Sequence, residues 1–212
     1  MLEEGILTGE DEALSFINKY GIVTLFPVRG KNFPSLYRAT RGNREEKFRD
    51  AWAWADSLAY KKQIHYGKLV CKQVTLVSLE MFPYVHRLCS ESRLSKASQR
   101  ILDFLGEEGR TSTTGLRENL DFKGKEKKNE FLRAVDELQM AFAIAIVDRE
   151  KPPRLTHIYD IIERWMPKKL LDKARCIGKD TAKRKIIAKM LEHSVISKAE
   201  DARRFLGARI LL

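Results

Sequence analysis

The side chains best suited to chemistry in this sequence are cations, and the first group of them has helical spacing. Lys125, Asn129 and Arg133 recur at every fourth position, so in a helix they share one face. An amide and a guanidinium on one helix face can read base edges in the major groove of a duplex. Lys127 and Lys128, close to the start of the same segment, could contact phosphates. The pattern predicts a recognition helix for a nucleic acid.

Acidic residues interleave with these cations and leave a second interpretation open. Glu126, Glu130 and Glu137 lie among them, and carboxylates repel phosphate. A solvated helix face held by ion pairs between residues four apart would have the same composition.

A second basic group surrounds two adjacent prolines in the stretch "DREKPPR". Arg149, Lys151 and Arg154 flank Pro152 and Pro153, whose fixed φ stiffens the tip and lowers the entropy cost of ordering it. Between two apolar runs, such a tip could place its cations along a phosphate backbone or in a minor groove. The alternative is an ordinary exposed hairpin tip.

The third group makes the C-terminal part of the chain strongly basic. Residues 167–212 hold 13 Lys and Arg against 5 Asp and Glu, and the whole chain has a net charge of +11. The densest cluster consists of Lys179, Lys183, Arg184 and Lys185. Such a surface suits a polyanion and predicts binding that weakens with salt. A merely solubilising surface is the alternative.

Catalytic and metal-binding chemistry has little support by contrast. The cysteines and histidines lack a CxxC pair or a second ligand at helical spacing; they are Cys71, Cys89, Cys176, His65, His86, His157 and His193. We find neither a glycine-rich nucleotide loop nor a Ser/His/Asp spacing. We therefore expect no metal and no small-molecule cofactor.

The composition predicts a cytoplasmic protein with a packed core. The chain of 212 residues is 43% apolar and 33% charged, which argues against disorder. Scattered cysteines, odd in number, suit a reducing compartment. Apolar stretches are shorter than the roughly 18 residues of a membrane span, and the acidic start does not resemble a secretory signal.

The elements that must position the cations suggest three domains, the first of which covers residues 1–92. It should be helical with a β-hairpin that turns at Cys71–Lys72. Asn43 and Glu46 have the spacing of a capping box for a helix whose apolar stripe includes Phe48. Candidates for lining a pocket in this domain are Trp54, His65, Tyr66 and Lys68, with Trp52 assigned to the core.

Residues 93–166 should form a winged helix-turn-helix domain. A helix, a short helix and the longer helix Gly124–Gln139 are followed by strands at Ala143–Val147 and Leu155–Ile158. This order places the basic tip Asp148–Arg154 in the wing.

Residues 167–212 should form a basic helical segment. Caps predicted at Asp180 and Ser197 would make it the first two helices of another helix-turn-helix unit. The predicted fold class is therefore mainly α with small β-hairpins, arranged as tandem winged helix-turn-helix units.

Three stretches resemble the AlkZ/YcaQ family of DNA glycosylases. The stretch "RLTHIYDIIERWMP" is similar to the motif after the wing in that family, and "YGIVTLFPV" is similar to an N-terminal element. The stretch "ISKAEDARRFLG" resembles the start of the next winged-helix unit. Two others, "LFPVRGKNFPSLYRATRG" and "IHYGKLVCKQVTLVSLEMFPY", look closer to a group described as AlkZ-related. The resemblance implies tandem winged helices around a DNA channel, and excision of alkylated or cross-linked bases without a cofactor.

The chain departs from that family at the catalytic positions. There a Gln-x-Gln or Gln-x-Asp pair positions the attacking water. Alignment of the flanking Gly21, Pro27 and Val28 places Thr24 and Phe26 at the two positions. Phe26 can neither accept a proton nor hold a water, and Thr24 is not a base near neutral pH. We therefore expect the family's catalytic pair to be absent, with no catalytic residue in its place.

The sequence thus predicts a winged-helix protein that binds duplex or damaged DNA as a divergent, non-catalytic relative of DNA glycosylases. One alternative is a glycosylase with a rewired site, for which Asp56, Glu80 and His86 are the available acid–base groups. Another is a winged-helix module that binds proteins or regulates transcription. Family members continue beyond the position matching Leu212, so we expect either a homodimer that completes the channel or an open channel.

Overall fold

The structure, a computed structural model, describes residues 4–151 and 156–206. The α-helices are α1 (Glu10–Tyr20), α2 (Leu36–Ala39), α3 (Arg44–Tyr60), α4 (Phe82–Cys89), α5 (Lys96–Glu108), α6 (Thr113–Asn119), α7 (Lys125–Met140), α8 (Ile162–Trp165), α9 (Lys168–Cys176), α10 (Lys179–Glu192) and α11 (Ala202–Leu206). The strands are β1 (Ile22–Thr24), β2 (Ile64–Lys68), β3 (Val74–Ser78), β4 (Thr111–Ser112), β5 (Ile144–Arg149) and β6 (His157–Ile161). The architecture is mixed, with many helices around two small antiparallel sheets. Within the described ranges, none of the helices is both long and apolar enough to cross a membrane.

The first sheet contains the predicted N-terminal hairpin and one additional strand, in the order β1-β3-β2. Its facing pairs include Ile22–Val77, Ile64–Ser78 and Lys68–Val74. The turn falls at Cys71 and Lys72, as predicted, with φ values of 50° and 61°. Thr75 Oγ1 accepts the amide hydrogen of Val70 at 3.1 Å, which stabilises a turn that lacks an Asn-Gly pair. Strand β1 has three residues, too few for an alternating pattern.

Helix α3 begins at the predicted capping box. Asn43 Oδ1 accepts from the backbone of Glu46 at 3.1 Å, and Glu46 Oε2 accepts from the backbone of Asn43 at 2.8 Å. The inner face of α3 is lined by the buried residues Ala51, Ala55, Leu58 and Ala59. Phe48, predicted to belong to this stripe, is instead 53% exposed. It lies near the start of the helix, where it stacks on Phe26.

The second sheet has the order β4-β6-β5 and lies next to α5, α6 and α7. Strands β5 and β6 form the second predicted hairpin, and Arg149 pairs with His157 at its outer end. An irregularity between Ile146 and Asp148 interrupts the register, so the strand ends differ from those that simple alternation predicted. Outside the described part of the chain lie Pro152, Pro153 and Arg154 of the predicted tip, and Leu155, the predicted start of the second strand.

Polar contacts of the stretch "YDIIERW" connect the second sheet to α5. The fully buried carboxylate of Asp160 lies 2.9 Å from Arg164 and 3.5 Å from Arg110. Arg164 also donates to the carbonyl oxygens of Leu105 and Gly106 in the last turn of α5, at 3.2 and 2.8 Å. One guanidinium therefore satisfies a buried carboxylate and two helix-terminal carbonyls. We conclude that this stretch has a structural role.

The C-terminal segment packs on the N-terminal part of the molecule, with α9 and α10 against α4. Gly21 marks the closest approach: a Cβ there would lie 2.6 Å from Met81 Cγ and 3.2 Å from Lys189 Cγ. Its φ of 75° also favours glycine. The end of α1 at Gly21 is thus fixed by tertiary packing as well as by local conformation.

The two caps predicted in this segment are wrong. Helix α10 begins at Lys179 with Gly178 as its N-cap, so Asp180 lies inside the first turn. There it can still stabilise the helix through the macrodipole. After Ser197 the chain forms a short 3-10 turn, Ala199–Asp201, and neither this turn nor α10 has a side-chain cap. Helix α10 and this 3-10 turn therefore begin without a capping side chain.

One apolar core runs through all three predicted domains. Ile17 of α1, Phe131 of α7 and Ile186 of α10 belong to the same cluster of buried residues. Trp165, at the end of α8, has Lys62 Nζ 4.2 Å and Arg110 Cζ 5.0 Å from its ring centroid. The first two predicted domains are therefore joined by apolar packing and by cation–π contacts.

Candidate nucleic-acid interface

The exposed side of α7 carries four of the predicted contact residues. Its inner side is lined by Phe131, Ala134, Val135 and Leu138. On the outer side, Lys125, Lys128, Asn129 and Arg133 are exposed, and their side chains have no hydrogen-bond or ion-pair partner within residues 4–151 and 156–206. Leu132 is 47% exposed next to them. Within the described part of the chain, this side of α7 therefore offers three free cations and one free amide to a ligand.

Lys127 is the exception among the cations of α7. Its Nζ lies 2.5 Å from Asp121 Oδ2, and this hydrogen bond lowers the pKa of Asp121. Glu126 and Glu130 are exposed on the same helix. A phosphate that approaches Lys127 must compete with a carboxylate, although exposed ion pairs of this kind are weak.

The C-terminal half of α7 is held from two sides. Lys68 Nζ of β2, a residue predicted only as a pocket candidate, lies 2.5 Å from Asp136 Oδ1. Glu137 Oε2 accepts from Ser98 Oγ at 2.5 Å and from the backbone of Ser95 at 3.0 Å, at the start of α5. Asp136 and Glu137 are therefore engaged within the protein, while the basic N-terminal half of α7 stays exposed.

The hairpin is anchored near its outer end by an ion pair. Arg149 Nη2 lies 3.0 Å from Asp56 Oδ2 of α3, and both side chains are partly buried. Strand β5 packs against α3 and β2. Arg149 was predicted as a wing contact, but here its guanidinium holds the hairpin against the N-terminal part of the molecule. Lys151, further along, is exposed, and Arg154 lies outside the described residues.

A buried polar cluster surrounds this ion pair. Burial raises the pKa of Asp56, and Arg149 opposes that shift. Burial lowers the pKa of His157 to about 4, and it raises the pKa of Tyr60 to about 12. Among the described residues, Asp56 Oδ1, Arg149 Nε and His157 Nδ1 are buried polar atoms without a hydrogen-bond partner. The cluster thus holds a desolvated carboxylate and a desolvated imidazole, both of which interact with Arg149.

The positions of the family's catalytic pair lie in a different environment. Thr24 is fully buried, and its Oγ1 donates to the carbonyl oxygen of Pro34 at 3.1 Å. Phe26 packs against Tyr37, Phe48 and Trp52, with ring centroids 5.5 to 5.8 Å apart. Neither side chain presents an acid or base to a substrate.

The C-terminal cations lie mainly on α10. Lys179 Nζ is 2.5 Å from Glu91, and Lys185 Nζ is 3.3 Å from Glu80. Hydrogen bonds from Lys179 and Arg87 lower the pKa of Glu91 to about 2. Two of the predicted contacts are thus paired with acidic residues of the N-terminal segment.

The two remaining residues of this cluster are Lys183, which is partly buried, and Arg184, which is exposed. Arg184 Nη2 lies 3.4 Å from Thr181 Oγ1. The two basic groups lie on separate helices, since α10 packs on α4 while α7 packs on α5. Lys179 of α10 and Glu137 of α7 line the same open pocket.

Sequence reasoning missed the partners in the polar cluster. It named Asp56 and Tyr66 as residues of interest, but it could not pair Asp56 with Arg149 from a different part of the chain. Of the other candidates, His65 is fully buried between Phe82 and Phe142, and burial lowers its pKa to about 3. It behaves as a neutral core residue.

Two further acid–base candidates lie away from the cluster. Burial lowers the pKa of His86 to about 4, and Glu80 is exposed beside Lys185. Among the described residues, no three His, Cys, Asp or Glu side chains come together in a way that could hold a metal ion.

Comparison with known proteins gives one match. A family described as AlkZ related matches residues 7–207. No curated protein and no solved structure was found to match the chain.

Proposed function

The chain belongs to the AlkZ-related family, and from this premise we propose that it binds duplex or damaged DNA without excising bases itself. The match covers the first sheet, the second sheet and most of the C-terminal segment. The proposal therefore concerns the whole chain. The observation that carries it is the exposed side of α7, where Lys125, Lys128 and Arg133 lie unpaired among the described residues.

The order of elements supports a winged helix around α7. Helix α5, strand β4, helices α6 and α7, and the hairpin β5–β6 follow one another, and the sheet order is β4-β6-β5. In a winged helix-turn-helix domain the last helix before the hairpin enters the major groove and the hairpin forms the wing. In this arrangement Asn129 and Arg133 would face base edges, while Lys125 and Lys128 would contact phosphates.

The ion pair near the outer end of the hairpin gives the wing residues different roles. Arg149 is held by Asp56 at 3.0 Å, so it positions the hairpin. Lys151 is exposed and is left to contact the backbone or the minor groove, with Arg154 as the second predicted contact in the tip.

The cations of α10 would add a weaker contribution. Lys179 and Lys185 must exchange Glu91 and Glu80 for phosphate, whereas Arg184 has no acidic partner in the described part of the chain. Exposed ion pairs contribute only about 0–1 kcal/mol, so a phosphate can replace the carboxylate.

The absence of excision is supported by the two positions that match the catalytic pair. The hydroxyl of Thr24 donates a hydrogen bond to the backbone carbonyl of Pro34, and the ring of Phe26 packs in an aromatic cluster. No carboxamide or carboxylate stands there to hold the attacking water.

The test is the salt dependence of binding to a fluorescently labelled duplex. We expect affinity to fall steeply between about 50 and 200 mM salt, with a slope of about 0.9 per phosphate contact. The triple variant Lys125→Ala, Lys128→Ala, Arg133→Ala should bind more weakly and show a shallower slope. Arg49→Ala is the control, because Arg49 is an exposed cation of α3 paired with Asp50. Absent binding at low salt, or equal effects of both variants, would contradict the proposal.

A second function is favoured by one observation, the partly buried carboxylate of Asp56. Its raised pKa and its unpaired Oδ1 are features of a general base. A glycosylase with a rewired site would use Asp56 to activate a water. Release of a methylated base by the purified protein, lost in Asp56→Asn, would establish this function in place of the non-catalytic one.

A further inference from the structure

An open pocket lined by aromatic rings lies beside the start of α3. Its volume is about 630 Å³, and its walls are Phe26, Tyr37, Arg44, Glu45 and Phe48. Small-ligand sites in proteins have volumes of roughly 300–1,000 Å³. The pocket therefore has room for a planar group of the size of a nucleobase.

The rings of this pocket hold one another in place. Phe48 stacks on Phe26 at a centroid distance of 5.5 Å and an angle of 27°. Trp52 meets Phe26 edge-on at 5.8 Å and Phe48 at 6.3 Å, and Tyr37 contacts Phe26 from another side. Phe48 nevertheless remains 53% exposed, and it is the one aromatic among the exposed large apolar residues of the described chain. A preordered ring with an uncovered face is a platform on which any base can stack.

The charges at the rim suit a nucleotide better than an apolar peptide. Arg44, the first residue of α3, is exposed and has no acidic partner within the described ranges. Its guanidinium can bind a phosphate in bidentate fashion. The carboxylate of Glu45, next to it, can accept a hydrogen bond from an exocyclic amino group. The rim thus offers a donor for phosphate and an acceptor for a base beside an aromatic platform.

We propose that this pocket receives a single unpaired base of DNA, which stacks on Phe48 while Arg44 contacts the adjoining phosphate. The inference rests on the proposed DNA binding and adds a preference for DNA in which one base lies outside the helix. Phe26, which matches the position of a family catalytic residue, lines the pocket. The base is therefore bound without hydrolysis of its glycosidic bond.

The experiment compares two labelled duplexes that differ only in pairing. In one, the fluorescent adenine analogue aminopurine is paired with thymine, and in the other it is an unpaired, bulged base. We expect tighter binding to the bulged duplex, with a change in aminopurine fluorescence on that duplex alone. Phe48→Ala should weaken binding to the bulged duplex by about fivefold to a hundredfold, the range for loss of one stacked base, and leave the paired duplex unaffected.

Three further variants separate stacking from other causes. Phe48→Trp should retain the preference for the bulge, whereas Phe48→Leu, which keeps an apolar side chain without a π face, should lose it. Leu191→Ala is the matched control, because Leu191 is an apolar residue of α10 that is 40% exposed. It should change neither affinity. Because Phe48 and Leu191 are both exposed, we expect these variants to fold.

The outcomes distinguish this inference from the proposed function. Equal affinity for both duplexes with unchanged aminopurine fluorescence overturns the pocket and leaves DNA binding intact. Binding to neither duplex at low salt overturns both. A bulge preference that survives in Phe48→Leu overturns base stacking on Phe48.

Discussion

The guanidinium of Arg149 lies 3.0 Å from the carboxylate of Asp56, across the junction between the β5–β6 hairpin and α3. Burial raises the pKa of Asp56 even though Arg149 opposes the shift, so desolvation of this carboxylate outweighs its pairing. Removing one partner of such a pair destabilises a protein more than replacing both partners by apolar residues does.

Single substitutions of this pair should destabilise the protein. Asp56→Ala leaves Arg149 partly buried without its acceptor, and we expect a loss of about 1–3 kcal/mol in the free energy of unfolding. The double variant Asp56→Leu, Arg149→Met should lose less than the two single variants together. Urea denaturation measures both. Asp50→Ala is the control, since Asp50 pairs only with the exposed Arg49 and should cost less than about 0.5 kcal/mol.

The stability of the protein should fall as the pH is lowered from about 7 to about 5, in part through His157. Burial lowers the pKa of His157 in the folded state from 6.5 to about 4. Between these two values the unfolded chain binds a proton that the native state excludes, so the stabilisation is present above pH 6.5 and is lost as the pH falls.

His157→Gln should therefore flatten this dependence, by up to about 1.4 kcal/mol per pH unit. Thr113→Ala removes the hydroxyl that donates to the carbonyl oxygen of His157 at 3.2 Å, and it adds no titrating group. It should lower stability equally at each pH. Denaturation curves with parallel pH profiles for the wild type and His157→Gln would show that His157 is not the source.

Arg164→Ala should be among the more damaging single substitutions. It removes an ion pair to the buried Asp160 and two hydrogen bonds to the end of α5. We expect a loss of about 2–4 kcal/mol, since the buried carboxylate loses its closer cation and retains Arg110, at 3.5 Å, and the backbone amide of Ile161, at 2.8 Å. Glu163→Ala, at the neighbouring exposed position, should change the unfolding midpoint very little. Similar unfolding midpoints for the two variants would contradict a stabilising role of the Arg164 contacts.

Gly21→Ala should destabilise the contact between the N-terminal sheet and α10. The new methyl group would lie 2.6 Å from Met81 Cγ, at a φ of 75° that disfavours alanine. A cost of about 1–3 kcal/mol is expected from overpacking and strain. Gly106→Ala is the contrast, because a methyl group at that position inside α5 would have no neighbouring atom within 4 Å. Gly106→Ala should raise the free energy of unfolding by roughly 0.5–1 kcal/mol. A thermal melt distinguishes this increase from the decrease expected for Gly21→Ala.

Removal of acidic partners should strengthen DNA binding if α10 contributes to it. Glu91→Gln frees Lys179, and Glu80→Gln frees Lys185. Each should tighten binding to duplex DNA by up to about fivefold at low salt, the value of an exposed ion pair. Glu163→Gln removes the same charge at an exposed position on α8 and serves as the control. A gain of the same size in all three variants would reflect net charge alone.

Local chemistry explains which features could be predicted from the sequence. The capping box of Asn43 and Glu46 and the turn at Cys71 involve residues close together in the chain, and both were predicted. The caps at Asp180 and Ser197 were also local predictions, yet they are wrong, because the packing of the C-terminal segment decides where α10 begins.

The candidate site could be predicted only in part. The exposed face of α7 follows from the spacing of Lys125, Asn129 and Arg133, which the structure places together. The role of Arg149 could not be predicted, because an exposed cation near a hairpin tip and one that pairs with a distant helix look alike in sequence. The exposure of Phe48 was likewise missed, because helical periodicity does not tell where the core ends along a helix.

Two ion pairs tie α7 and the β5–β6 hairpin to the N-terminal sheet and α3: Lys68 with Asp136 of α7, and Asp56 with Arg149 of β5. A protein whose binding surface is held in this way loses little conformational entropy when it binds its ligand. Calorimetry of complex formation should accordingly give a heat-capacity change that matches the apolar surface covered at the contact. It should lack the larger contribution that accompanies folding of a mobile segment upon association.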